Sequence, residues 1–161
     1  SPSWREEGLP PSAGRPTWAW PVEDEAPGFA AAMRCAVAGR VDQAFRCAFQ
    51  LGNERTLVGL LRRLESAVAW PRLPEAEARY LVRLLVRLLC RDPYGLPAEE
   101  ACAWLETLTA RLPGGALLLD EEDLPALQEA LFSLSGAPGT AGKNAASMYS
   151  SLFRGTAHGC W

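Results

Sequence analysis

From Phe29 onward the apolar residues recur at helical spacing, and glycines and prolines divide the recurrence into segments. FAAAMRCAVA predicts a first helix closed by Gly39. RVDQAFRCAFQL predicts a second closed by Gly52, with Val41, Ala44, Phe45, Ala48 and Phe49 on one face at i, i+3, i+4, i+7 and i+8. Asn53 has the side chain of an N-cap, and Leu57, Leu60, Leu61, Leu64 and Val68 form the stripe of a third helix that must stop before Pro71. Pro74 suits the first turn of a fourth, which carries Glu75 and Glu77 at its positive end and runs to about Cys90. Pro97 opens a fifth, whose apolar side is Cys102, Leu105, Leu108 and Leu112, widened by Trp104, and Pro113-Gly114-Gly115 ends it. Asp120 or Asp123 caps a sixth with Leu124, Leu127, Leu131 and Leu134, and a seventh from near Thr140 places Ala145, Met148, Tyr149, Leu152 and Phe153 together. Strand-type alternation competes nowhere. The expected fold is all-α, with about seven antiparallel helices in an irregular superhelix or bundle. No fixed-period repeat is present.

Residues 1–28 lack this periodicity and carry five prolines in their first 21 positions, so they read as a linker or arm preceding a helical domain over 29–154, with 155–161 as a flexible tail. Trp4, Trp18 and Trp20 sit uneasily in a plain linker. TWAWP could equally be an extended segment that docks, with Trp18 and Trp20 as its anchors. The chain begins at Ser1 without a signal-peptide pattern, which is expected of a piece of a longer protein.

Composition narrows the function. Apolar residues make up 48% and charged residues 22%, the mix of an ordinary folded domain. No aliphatic run approaches the roughly 20 residues of a spanning helix, so no membrane association is expected. The net charge is −3, and residues 53–112 hold nine arginines against eight acids, too even a balance for a general nucleic-acid binder. The five cysteines at 35, 47, 90, 102 and 160 are widely spaced and there is one histidine, so neither a zinc site nor a disulfide framework is expected. Reduced thiols in a cytosolic protein are the simpler reading.

Nothing in the chain calls for a cofactor or a catalytic centre. His158 lies in the tail GTAHGCW, a poor place to hold a general base against a nucleophile. DEEDL at 120–124 has a sufficient explanation as a helix start. GAPGTAGKN lacks the GKS or GKT of a phosphate loop. Trp70 and Trp104 are expected to anchor the core.

The segment ARYLVRLLVRLLCRDP carries the candidate binding residues. Arg79, Arg83, Arg87 and Arg91 advance about 40° per step around a helix, so they share one strip about 120° wide, while every residue between them except Tyr80 and Cys90 is aliphatic. Such a helix is central, and the strip is its outlet to water. Two readings follow: a solvated edge paired with acids such as Glu106 or Glu65, or a surface for an acidic partner, extended by Arg62 and Arg63 if they point the same way.

VDQAFRCAFQLGNERTLVGLLRRL, WLETL and ALLLDEEDLPALQEAL together resemble the C-terminal helical domain of the plant TORTIFOLIA/SPIRAL microtubule-associated protein family, over about residues 40–135. That resemblance implies a cytoplasmic, cytoskeletal, non-enzymatic protein that acts in microtubule organisation and directional cell growth. Its partners would be tubulin or another microtubule-associated protein, with self-association. The AF-rich and Leu-rich stretches are also similar to the C-terminal scaffold and oligomerisation domain of the large mRNA-decapping scaffold family, the rival assignment. A weaker resemblance is to the helical domain of the regulatory subunit of katanin.

Overall fold

The computed structural model describes residues 27–154, and among them there is helix and no strand. The all-α expectation holds for that span. Eight α-helices follow one another: α1 (Pro27–Val37), α2 (Val41–Leu51), α3 (Glu54–Arg63), α4 (Ser66–Ala69), α5 (Glu75–Arg91), α6 (Leu96–Glu106), α7 (Leu124–Leu134) and α8 (Gly139–Tyr149). The chain divides into two compact units at Glu77/Ala78, inside α5.

In the first unit α1, α2 and α3 pack on one another. Gly39 adopts φ 85 and Gly52 φ 61, the left-handed conformation that a glycine C-cap supplies without a Cβ penalty. Gly52 donates to Ala48 and Phe49 carbonyls, closing α2. Val41, Ala44, Phe45 and Ala48 are buried as their spacing requires. The Asn53 side chain accepts from the amides of Arg55 at 2.8 Å and Thr56 at 3.3 Å, so two otherwise orphaned donors of α3 are satisfied. Asn53→Ala should therefore cost about 1 kcal/mol, measurable as a lower urea midpoint, whereas Asn53→Asp should be near neutral. Where α3 meets α1, Gly59 leaves room for Phe29: a Cβ there would come within 2.6 Å of the ring.

The third helix stops before Pro71, as expected, but it ends at Arg63, short of the stripe that runs to Val68. Leu64 is extended (φ −101, ψ 151), the one-turn α4 follows, and a 3-10 turn spans Trp70–Arg72. Trp70 supplies the reason. In an unbroken helix it would stand roughly 220° from Leu57, on the far side from the apolar stripe. The break at Leu64 brings Ala69 and Trp70 into the interior and leaves Val68, expected on the stripe, exposed. Arg46 on α2 pairs with Glu77 at 3.1 Å, fastening the first turn of α5 within this unit.

In the second unit α8 packs against both α6 and α7. Cys102, Trp104, Leu105, Leu108, Leu127, Leu131, Leu134, Ala145 and Met148 are buried, so both tryptophans expected in the core, Trp70 and Trp104, are there. Beyond Glu106 the helix widens into a π-helical turn, Thr107–Arg111. The hydroxyls of Thr107 and Thr109 donate to the carbonyls of Ala103 and Leu105 at 3.1 and 2.9 Å, competing with the regular ladder. The widened turn takes Leu112 off its expected stripe to a half-buried, extended position. A 3-10 turn, Gly115–Leu118, then lies where sequence pattern predicted only a stop. A second π-helical turn, Ser150–Arg154, extends α8.

Candidate interaction surface

Helix α5 begins after Pro74 with Glu75 and Glu77 in its first turn and ends with Arg91 in its last, charges that complement the helix dipole at both ends. Ala78, Leu81, Val82, Leu84, Leu85, Val86, Leu88 and Leu89 are all buried. Arg79, Arg83, Arg87 and Arg91 are all exposed, as is Tyr80. The strip read from the sequence is thus a real edge of the helix, about 18 Å long from Arg79 to Arg91 at 1.5 Å per residue.

The acids around it differ from those expected. Glu106 is 7% exposed, and its described partners are not arginines of the strip. It accepts from the Ser147 hydroxyl at 3.1 Å and pairs with Arg111 Nε at 3.4 Å, so its carboxylate joins α6, α8 and the π-helical turn. Asp123 takes the expected role instead, with its Oδ2 lying 4.0 Å from Arg83 Nε. Arg79 Nη1 donates to the Leu117 carbonyl at 3.5 Å. No described residue pairs with Arg87. The segment 117–123 therefore meets the N-terminal part of the strip, in the form of one backbone carbonyl and one carboxylate.

Asp120 and Asp123, equivalent as caps in the sequence, separate in the structure. Asp120 accepts from the Glu122 amide at 3.0 Å and caps the 3-10 turn Glu121–Asp123. Asp123 makes no side-chain cap bond to α7. Its negative charge also reaches Cys90, whose thiol is pushed above its usual range first by burial and then by Asp123. Sequence pattern missed this role because the pairing depends on how the 112–123 turns fold back, and the only available signal was the proximity of an acid run to an arginine ladder.

Arg63 does not read as part of a bare cationic edge, because its guanidinium lies over the Phe29 ring, 5.2 Å from the centroid. Glu65, the other acid expected to pair with the strip, is exposed at the start of α4. Trp18 and Trp20, the candidate arm anchors, and His158 lie outside the described residues.

A second exposed feature went unread in the sequence. Phe132 on α7 is 69% exposed, and its ring stands 6.0 Å from Tyr149, which stands 5.4 Å from Phe153 in the π-helical turn. Phe132 lies off the apolar stripe of α7, and only the i, i+4 spacing of Tyr149 and Phe153 was visible. Among the described residues no group of three or more His, Cys, Asp or Glu is placed to hold a metal ion, and no helix is long and apolar enough to cross a membrane.

These features define an all-α chain with an exposed cationic edge on its longest described helix. No protein-family model matches the chain, and no curated protein or solved structure is significantly similar to it.

Proposed function

We propose that this chain is a non-catalytic helical protein-interaction domain of a microtubule-associated protein, acting in microtubule organisation and directional cell growth. The reading places it in the cytoplasm at the cytoskeleton, with tubulin or another microtubule-associated protein as partner and with self-association. The observation that carries the interaction role is the exposure of Arg79, Arg83, Arg87 and Arg91 along one edge of a helix whose other faces are buried. Four like charges one turn apart repel by a few tenths of a kcal/mol per pair, a cost to the isolated helix that an acidic partner would reverse. The microtubule assignment rests on the resemblance of residues 40–135. The non-catalytic reading rests on the sequence, which offers no convergent set of catalytic groups, and Glu106, the one buried carboxylate among the described residues, is engaged with Ser147 and Arg111.

Co-sedimentation with polymerised tubulin tests this. The chain should pellet at low salt and be released at high salt, since contacts between exposed charges are screened. Arg83→Glu combined with Arg87→Glu should abolish pelleting while keeping the helical circular dichroism signal and a cooperative melt, lowered by no more than the loss of the exposed Arg83–Asp123 pair. A chain that stays in the supernatant at low salt, or a double variant that pellets like wild type, rejects the proposal.

A further inference from the structure

We infer that the strip takes an acidic segment whose carboxylates repeat at about one helical turn, and that Asp123 already sits in one of those seats as an internal competitor. The inference rests on the interaction reading above and adds to it the spacing of the ligand and a built-in brake. Arginines four apart on α5 are separated by about 6 Å along the axis, so a bound acidic segment would present carboxylates at that interval. Asp123 shows such a seat filled: its carboxylate lies 4.0 Å from Arg83 Nε. The contact is long and its partners are 46% and 27% exposed, which makes it weak enough for an incoming carboxylate to displace. It is also held in place by the fold, because the 3-10 turn that carries it is capped by Asp120 and Arg79 binds the Leu117 carbonyl just upstream. Arg87, one turn beyond Arg83, has no pairing among the described residues, so the first ligand carboxylate lands there. Occupation of Arg83 then requires Asp123 to yield.

The test uses the full chain and a fluorescein-labelled, glutamate-rich dodecapeptide, followed by fluorescence anisotropy at low salt. Asp123→Asn removes the competitor without removing a helix cap, and should tighten binding about twofold to fivefold, the range to which the strength of an exposed pair converts. Glu122→Gln removes the same charge from an exposed position with no described arginine contact, and should tighten binding less. Adding Arg83→Gln should erase the gain from Asp123→Asn. Asp123→Asn that binds no more tightly than Glu122→Gln, with wild type binding measurably, overturns the competitor and leaves the cationic surface standing. Failure of wild type and every variant to bind the peptide overturns both. Binding seen only in Asp123→Asn supports the inference in its strongest form.

Discussion

Gly115→Ala lowers the stability of the second unit by about 3 kcal/mol, seen as a fall in the urea midpoint. Gly115 is buried at the start of the 3-10 turn, and a Cβ there would strike the Leu108 carbonyl oxygen and lie 2.8 Å from the Leu108 carbonyl carbon. Both are backbone atoms of the π-helical turn and cannot rotate aside, so the two turns must part. Their separation would open the interior around Leu108, which is 2% exposed. Gly114 provides the contrast. It adopts φ 72, and a methyl group added there would meet nothing within 4 Å, so Gly114→Ala should cost only the roughly 1–2 kcal/mol of a left-handed non-glycine residue. If the two substitutions prove equally mild, the close approach of Gly115 to Leu108 is refuted.

The second large effect is a loss of stability in alkali traceable to one thiol. Cys102 is fully buried, and burial, followed by the negative charge of Glu106, pushes its thiol from 9.0 up to about 12. Because the folded state keeps this proton longer than the unfolded chain, the stabilisation is complete below pH about 9 and drains as pH rises toward about 12. The whole interval corresponds to about 4 kcal/mol at most, and at pH 10 the loss is about 1.4 kcal/mol. Cys102→Ala lacks this ionisation, so the stability gap between wild type and Cys102→Ala should narrow by that amount between pH 8 and pH 10. Iodoacetamide at pH 8 should likewise leave Cys102 unmodified until denaturant is added, because the thiolate is the reactive form. Parallel pH profiles for the two proteins, or rapid alkylation of the native chain at Cys102, would refute the assignment.

Local rules account for the parts of the fold that were legible. Gly39, Gly52 and Asn53 act through their own conformations or side chains within a few residues, and each closes or opens a helix where its chemistry requires. The arginine strip was legible for the same reason: i, i+4 spacing on a helix apolar elsewhere puts those side chains on its one exposed edge. What the pattern could not give depends on tertiary packing. Burial of Trp70 outweighs the continuity of the Leu57–Val68 stripe and breaks the helix at Leu64. Gly114 and Gly115 are indistinguishable in PGG, yet one supplies a backbone conformation and the other a close contact. Glu106 is one of two acids that charge spacing offers to the strip, because that spacing says nothing of Ser147, 41 residues away, which donates to its carboxylate. Asp123 stands at the N-cap position of α7, one of the two cap positions the pattern offers, but its contact with Arg83 is not legible because the fold-back is encoded in two irregular turns, Thr107–Arg111 and Gly115–Leu118, that have no helical period.

The strip also contains no lysine. Acetyl transfer, which silences a lysine by converting its amine to an amide, has no target among Arg79, Arg83, Arg87 and Arg91, and methylation of a guanidinium would leave its charge in place while blocking paired contacts. Lys143, exposed on α8, is the sole amine side chain of the chain. Covalent control that works by removing charge from a contact made by this edge therefore falls to the acidic partner.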